Sequence, residues 1–262
     1  ADSLDGDGHR LWAVEAGRLE MRQLAPLLAE SFYIADGHHR YETAVNYRDA
    51  RVAADPGLPR DHPARFAMAA IVPATDPGLV VRAIHRIVPR SAPPDWLRRL
   101  ESSFQAFNVE QIKEIGAPEA QAAAFLARLS DTPGSIMAFN LEPGQVHLLT
   151  PRDDSVYEAI APSGRSPEWV RTPPNLLRHG VLSPLWDIND DDLRAGVVEY
   201  EHDAPAALAR ALDTPGVTGF LLNPVTVHEV LDLADRGERL PQKSTFFHPK
   251  LGTGLVMYPL EP

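Results

Sequence analysis

Residues 32–48 read Phe-Tyr-Ile-Ala-Asp-Gly-His-His-Arg-Tyr-Glu-Thr-Ala-Val-Asn-Tyr-Arg. The stretch opens with an apolar run, Phe32 to Ala35, which stops at Asp36 and Gly37. The next dozen residues are typical of a helix, so we predict that a strand ends and a helix begins here. The first turn of a helix has unpaired backbone N–H groups and the positive end of the helix dipole, and such a place binds anions, phosphate above all. The pattern therefore predicts an anion site at a strand-to-helix junction.

The main candidate site consists of the five residues at this junction, Asp36, Gly37, His38, His39 and Arg40. Gly37 lets the backbone bend tightly or approach a ligand closely. Asp36 has two interpretations: a helix cap, or a catalytic group that acts as general base or as a magnesium ligand. Capping does not require two imidazoles and a guanidinium nearby. We therefore interpret His38, His39 and Arg40 as phosphate-binding and His38 also as catalytic, against the alternative of solvated or core histidines.

Three further candidates are charged side chains near the junction or in a later apolar run. Glu42 is a catalytic candidate that holds magnesium or orients a histidine, and its structural alternative is a first-turn acid that stabilises the helix dipole. His85 and Arg86 lie inside a β-branched run and are phosphate-binding candidates. Because side chains alternate along a strand, we expect them on opposite faces, so that at most one of the two faces a given site.

The last candidates lie near the end of the chain, where Lys243, Ser244 and Thr245 follow one another. A lysine beside two hydroxyl groups offers a point charge and neutral donors, which suit a triphosphate and its metal ion. The structural alternative is an exposed loop with a local serine or threonine turn. We interpret the three residues as phosphate- or nucleotide-binding.

Composition limits the classes of function that the chain can have. The 262 residues include 25 basic and 36 acidic residues, which gives a formal net charge of −11. This acidity argues against broad nucleic-acid binding, which depends on neutralising phosphates with lysine and arginine. The chain has no cysteine, which excludes disulfides, thiolate nucleophiles and sulfur-ligated zinc and fits a cytoplasmic protein. No apolar run approaches the length that crosses a membrane.

The pattern along the chain mixes helices and strands. We predict an α/β or α+β fold, a mixed sheet with flanking helices. Residues 1–160 are predicted to form the core that carries the motif, and residues 161–262 a C-terminal α/β segment that packs on it or joins it in a single domain. The predicted helices span 17–31, 38–54, 95–107, 118–129, 204–212 and 225–236. Two hairpins are predicted over 66–88 and 135–150, and a strand over 217–222.

The stretch from Ala35 to Ala44, Ala-Asp-Gly-His-His-Arg-Tyr-Glu-Thr-Ala, closely resembles the signature of a widespread, uncharacterised prokaryotic family, domain of unknown function number one-thousand-and-fifteen. The resemblance spans nearly the whole chain. It continues at Asp-Pro-Gly-Leu (76–79), His-Arg (85–86), Leu-Leu-Asn-Pro (221–224), Gly-Glu-Arg (237–239), Pro-Gln-Lys-Ser-Thr-Phe-Phe (241–247), Pro-Lys-Leu (249–251) and Gly-Leu-Val (254–256). Family members usually carry additional N-terminal sequence. The resemblance therefore implies that this chain is a truncated part of a longer protein.

The pentapeptide Asp36 to Arg40 is also similar to the motif of the ParB/sulfiredoxin/free-serine-kinase superfamily, which holds nucleotide phosphates at a helix start. Sulfiredoxin-like members have a reactive cysteine at the position of His38, and this chain has none, so sulfinate repair is excluded. ParB-like members continue into a DNA-binding helix-turn-helix, for which we find no convincing pattern. The kinase-like member matches letter for letter and implies a catalytic role for Asp36 and phosphate binding by the basic residues. This similarity is confined to the motif.

Three functions remain open. The first is a nucleotide-dependent phosphotransferase, a serine-kinase-like small-molecule kinase that uses magnesium and ATP, ADP or another nucleotide, with a phosphatase as its nearest variant. The second is a non-catalytic nucleotide-binding switch of the ParB type. The third is a metal-dependent hydrolase that uses His38, His39 and a distant carboxylate. Each implies a small phosphate or nucleotide ligand and neither a membrane nor nucleic acid, and the sequence does not predict an oligomeric state.

Overall fold

The computed structural model of the chain describes residues 8–14, 30–111 and 117–261. The helix predicted over residues 17–31 therefore lies almost wholly outside the described residues. The chain forms two compact units, which we call the first unit (Ala1–Val80 with Phe247–Pro262) and the second unit (Val81–Phe246). The predicted division at residue 160 stays a prediction, and the six-stranded sheet of the second unit includes strands from both sides of that position.

The described helices are short, apart from the first and the third. They are α1 (His38–Ala54), α2 (Trp96–Leu100), α3 (Pro118–Asp131), α4 (Ser155–Ile160), α5 (Pro167–Arg171), α6 (Pro173–Leu177), α7 (Ser183–Trp186), α8 (Asp190–Arg194), α9 (Ala204–Asp213) and α10 (Val227–Asp235). A π-helical turn, Arg178–Leu182, joins α6 to α7, and a 3₁₀ turn lies at Pro63–Arg65.

The strands form two sheets. They are β1 (Val80–Arg82), β2 (His85–Val88), β3 (Phe104–Gln111), β4 (Ile136–Phe139), β5 (Gln145–Pro151), β6 (Glu199–Glu201), β7 (Thr218–Leu221) and β8 (Phe246–His248). Strands β1 and β8 pair with each other, and the other six follow the order β3-β5-β4-β7-β2-β6. Every neighbouring pair in the larger sheet is antiparallel.

The large sheet is covered by helices on both faces. Strands β2, β4 and β7 are buried at every position. This explains why the sequences of β4 and β7 are runs of apolar or small residues that do not alternate with polar ones, whereas β2 begins with the buried His85 and Arg86. One face packs against α3 and α9, where Gly219 of β7 leaves room for Ala211. A Cβ atom at residue 219 would lie 2.7 Å from the Ala211 Cβ. The other face packs against α2 and the helical segment from α5 to α7.

The predicted fold class is confirmed, since a sheet with flanking helices forms the second unit. The hairpin predicted over 135–150 is also confirmed as β4 and β5, whose Phe139 lies opposite Val146. Gly144 closes the turn with φ of 79°, a conformation that a residue with a side chain rarely adopts. The helices predicted near residues 118, 204 and 225 correspond to α3, α9 and α10.

Three predicted elements are wrong. The apolar runs at residues 32–35 and 66–72 form no strand, because a strand needs a hydrogen-bonded neighbour and neither run pairs with a described strand. The motif helix thus begins at His38 as predicted, but the strand before it is absent. The helix predicted over residues 95–107 ends at Leu100, because the chain from Phe104 onward pairs with β5 and buries the Phe104 ring.

Candidate functional site

The motif lies at the beginning of α1, in the first unit. Gly37 precedes the helix with φ of 85° and ψ of 28°, in the left-handed region that favours glycine. A Cβ atom at this position would also lie 2.9 Å from the Arg40 Nη2. Gly37 therefore serves the backbone turn and the close approach of the Arg40 guanidinium at the same time.

Asp36 is not the cap of this helix. Gly37 occupies the cap position, α1 has no side-chain cap, and its first turn contains no acidic residue, so Glu42 is not the first-turn acid of the structural alternative. The Asp36 carboxylate instead lies between two cations. Its Oδ2 accepts a hydrogen bond from the Arg40 Nη2 at 2.7 Å, and its Oδ1 lies 3.1 Å from the Lys250 Nζ. The interpretation of Asp36 as a mere cap is therefore wrong.

The environment of Asp36 favours its ionised form. Partial burial alone would raise the pKa of the carboxyl group. The hydrogen bond and charge of Lys250, the charge of Arg40 and the backbone N–H of Gly37 outweigh burial and hold the pKa below its ordinary value. Asp36 is thus ionised at neutral pH and is a weak proton acceptor in this arrangement.

The other motif side chains face solvent. His38, His39 and Arg40 are exposed, and α1 buries no residue. The His39 Nδ1 lies 3.3 Å from Glu42 Oε2, so Glu42 contacts a motif histidine, one of the two catalytic roles that the sequence suggested for it. Accessible imidazoles and a guanidinium at a helix start can contact a ligand without any rearrangement of a core.

The candidates of the second unit meet in one place. The Arg86 Nη2 donates to the Lys243 carbonyl at 2.7 Å, although the two residues are 157 positions apart in the chain. Lys243 has φ of 61°, its side chain is exposed, and Ser244 is buried with an Oγ that has no hydrogen-bond partner among the described residues. Thr245 is half-buried. Tertiary structure therefore joins the His85-Arg86 strand to the 243–245 loop.

His85 and Arg86 are both buried, one on each face of β2. The His85 Nδ1 accepts a hydrogen bond from the Leu222 N–H at 3.2 Å. Burial, followed by the charge of Arg86, lowers the pKa of His85 to about 4. Burial also lowers the pKa of Arg86 to about 10, and its guanidinium lies over the Tyr200 ring at 4.5 Å. These contacts make the pair part of the sheet's framework.

The candidate residues divide between the two units. Asp36 to Arg40 and Glu42 belong to the first, and His85, Arg86 and the 243–245 loop belong to the second. The prediction that they share one pocket stays a prediction.

The second unit also contains a shallow cleft of about 300 Å³ between Ser91, Asn140 and Gly216, which no ionisable side chain lines.

Lys250 is the residue that the sequence interpretation missed. It contacts Asp36 from the C-terminal part of the first unit, 214 positions away. The only signal for it in the sequence was its place in the family-like stretch Pro-Lys-Leu at 249–251. A lysine in a polar loop has no periodicity that would mark it as part of a site.

The described parts of the chain contain neither a cluster of metal ligands nor a helix that could span a membrane. Among residues 8–14, 30–111 and 117–261, no three histidine, aspartate or glutamate side chains converge as a metal site would require. The described helices include none with the length and apolar character needed to cross a bilayer. The described residues therefore do not supply the third ligand that a histidine-based metal hydrolase needs.

Comparison with known proteins places the chain in a family. No curated protein and no solved structure matches it. A family model described as "Protein of unknown function (DUF1015)" matches residues 1–162, which include α1 with its motif, the 3₁₀ turn and strands β1 to β5. Since this match covers more than half of the chain, the protein belongs to the DUF1015 family of unknown function.

Proposed function

We propose that this protein is a nucleotide-dependent phosphotransferase, a small-molecule kinase whose phosphate-binding element is the start of α1. One observation carries the proposal: the Asp36 carboxylate lies between Arg40 and Lys250 at a helix start without a side-chain cap. A helix start, two cations and an ionised carboxylate are the groups that phosphate binding and phosphoryl transfer require.

The charges at the helix start are accessible to a ligand. The Arg40 side chain is 79% exposed and that of Lys250 is 37% exposed, so both can turn from Asp36 to a phosphate group. The imidazoles of His38 and His39 add further donors when one ring nitrogen carries its proton. A polyphosphate in this place would be neutralised from several directions, which is the main contribution a protein makes to phosphoryl transfer.

Asp36 is suited to hold magnesium. A general base works best with a pKa near the working pH, whereas the pKa of Asp36 is lowered. Magnesium is commonly held by one or two carboxylates together with substrate phosphates, so a single aspartate suffices. Either role requires the ligand to draw Arg40 and Lys250 away from the carboxylate first, because the two cations contact both of its oxygens. The proposed ligands are therefore Mg²⁺ and ATP, ADP or another nucleotide. We also propose that the protein is cytoplasmic.

The similarity of Asp36 to Arg40 to the serine-kinase-like motif supports the same function. The runner-up is a nucleotide-binding switch without catalysis, which the weak basicity of Asp36 favours. In a switch the phosphates would bind in the same way, but no acceptor would be phosphorylated. Both functions therefore predict the same ligand binding, but only the kinase turns its substrate over.

Binding is tested by calorimetric titration of the full chain with ATP, with and without Mg²⁺. We expect Arg40→Ala to weaken binding by about 1.5–3 kcal/mol, the scale of a charge-assisted hydrogen bond. Arg48→Ala is the matched control, because Arg48 lies on the same helix and pairs with Asp49 away from the motif. Equal affinity of Arg40→Ala and wild-type protein would remove Arg40 from the site.

Catalysis is tested with Asp36→Asn, which keeps the size of the side chain and removes its charge. If Asp36 holds magnesium, metal-dependent nucleotide binding and phosphate transfer fall together. If it is the general base, turnover falls roughly 10²–10⁴-fold while affinity is kept. Nucleotide binding with no phosphate transfer or release by wild-type protein would establish the switch, and no binding at all would overturn both functions.

A further inference from the structure

The two edges of the large sheet differ in how they are shielded. Among the described strands, β6 and β3 lie at the two ends of this sheet. Strand β6 has three residues and carries carboxylates at Glu199 and Glu201, whereas β3 has eight residues. Natural sheets shield an edge with a short strand, charged side chains or proline, because an open edge pairs with other chains. Strand β3 lacks these devices over residues 104–109, Phe-Gln-Ala-Phe-Asn-Val, which contain neither a charge nor a proline.

The hydrogen bonds to β5 show which backbone groups of β3 face outward. Just before the strand, the Arg152 N–H donates to the Ser103 carbonyl at 3.0 Å, so these two residues are a hydrogen-bonded pair. Hydrogen-bonded and non-hydrogen-bonded pairs alternate along an antiparallel ladder. Phe104 therefore belongs to a non-hydrogen-bonded pair, and its partner Pro151 indeed has no N–H to donate. The N–H and carbonyl groups of residues 104, 106 and 108 thus point away from β5.

This outer edge is accessible to another chain. Gln105 is exposed and the Phe107 side chain is 48% exposed, while Phe104 packs into the core on the opposite face of the strand. No described strand pairs with the outer side of β3. The ladder shifts its register between Asn108 and Glu110, and such a shift bends a strand. The regular part of the edge is therefore residues 104–108.

The regular edge is complementary to itself. A two-fold axis beside Ala106 would place this residue opposite its own copy, and residue 104 opposite residue 108 of the copy. Each outward N–H then meets an outward carbonyl, because all three pairs fall at hydrogen-bonding positions. Gln105 lies opposite Phe107 of the copy in this register. The two Phe107 rings lie on one face as diagonal neighbours, a separation that aromatic side chains bridge.

We propose that β3 pairs with β3 of a second copy of this chain across a two-fold axis, so that the two large sheets become one continuous sheet. The pairing brings no like charges together, since residues 104–108 are uncharged. It also covers Phe107, one of the few large apolar side chains that the second unit leaves exposed. The paired stretch is short, so we expect a reversible dimer with a Kd on the order of 100 µM.

Sedimentation equilibrium of the full chain measures the dimer. The protein is studied from about 10 µM to about 1 mM, a range that brackets the expected Kd. The buffer contains about 0.3 M NaCl, which screens the repulsion between two chains that each have a formal charge of −11. We expect the average mass to rise from that of one chain toward that of two.

Ala106→Pro tests the backbone pairing. The N–H of this residue points outward, so proline removes no hydrogen bond to β5, and edge strands tolerate proline at such a position. Both hydrogen bonds of the central pair are lost, so the Kd should rise at least about tenfold. Circular dichroism establishes that the variant is folded. If Ala106→Pro does not fold, the charge variants at residues 105 and 107 decide the question.

Phe107→Glu tests the register. It places two carboxylates diagonally across the axis and should raise the Kd at least about tenfold. Adding Gln105→Lys puts an ammonium group opposite each new carboxylate of the other copy and should recover at least about threefold of the affinity. Phe66→Glu is the matched control, because Phe66 is 52% exposed in the first unit and lies away from the large sheet's strands in the chain. The control should leave the Kd unchanged.

Four outcomes would overturn the proposal. A wild-type chain that stays monomeric at about 1 mM leaves the β3 edge to a strand of a different protein. A folded Ala106→Pro variant that dimerises like wild-type protein shows that the backbone edge is not used. Equal effects of Phe66→Glu and Phe107→Glu indicate a dimer through exposed apolar side chains of the first unit. A Phe107→Glu dimer that Gln105→Lys does not strengthen has another register than the two-fold one.

Discussion

The two units of the molecule differ in what they bury. Among the residues that the structure describes, the buried apolar side chains belong to the second unit, except Leu58, Ala64 and Phe247. Conversely, the large apolar side chains that are exposed among the described residues belong to the first unit, apart from Leu97 and Phe107. The second unit therefore holds the described hydrophobic core, and the first holds the motif on a helix with no buried residue.

This difference separates the main source of stability, in the second unit, from the motif at the start of α1, in the first. Buried apolar area is the main source of folding free energy, so the sheet and its helices carry most of it. A motif whose charges face solvent can change its contacts without disturbing a core. The three predictions below test whether the units respond differently to substitution and to pH.

The largest expected effect is the difference in unfolding free energy between two phenylalanine substitutions, one in each unit. Phe220→Ala in β7 should lower the free energy of unfolding by about 3–5 kcal/mol, because it leaves a cavity where the side chain is 1% exposed. Phe66→Ala, where the side chain is 52% exposed, should cost well under about 1 kcal/mol. Denaturant titration followed by tryptophan fluorescence measures both. Equal costs would refute the contrast between the units.

A smaller effect concerns pH in the second unit. The pKa of His85 is about 4 in the folded protein and 6.5 when unperturbed, so the unfolded chain binds more protons between these values. The free energy of unfolding should therefore fall as the pH drops from about 6.5 to about 4, by about 3 kcal/mol in total.

Denaturant titrations at pH 7 and pH 5 check this dependence. In His85→Asn, whose side-chain oxygen can still accept from the Leu222 N–H, the slope with pH should be reduced. His228→Asn is the control, because that side chain is 85% exposed and should leave the slope unchanged. A wild-type protein equally stable at both pH values would contradict the assignment.

The smallest effect concerns the first unit. Lys250→Met should raise the pKa of Asp36 toward its ordinary value, because Lys250 is the strongest of the groups that lower it. Stability at neutral pH should change by less than about 1 kcal/mol, as is usual for an exposed ion pair. The contribution of the pair is present at neutral pH and is lost as the pH falls through the lowered pKa of Asp36.

NMR titration of the Asp36 carboxyl group measures this change. Arg51→Met removes the same charge from the same unit, but Arg51 pairs with Glu261, so the pKa of Asp36 should stay as it is. If both variants shift the Asp36 pKa equally, the effect is one of net charge and Lys250 has no specific role.

Local signals in the sequence correctly predicted the elements that form through residues close together in the chain. The apolar face of α3, the turn at Glu142-Pro143-Gly144 and the helix start after Gly37 all agree with the structure. Each is governed by periodicity or by a glycine with positive φ, which act within a few residues. The motif was recognisable for the same reason, since all its residues are contiguous.

Tertiary structure alone decided the rest. Residues 104–111 form a strand because β5 offers them a partner, whereas the apolar run at 66–72 pairs with none of the described strands. Lys250 meets Asp36, and Arg86 meets the Lys243 carbonyl, across 214 and 157 positions of the chain. Such contacts depend on which segments the packed core brings together, and no local pattern encodes that choice.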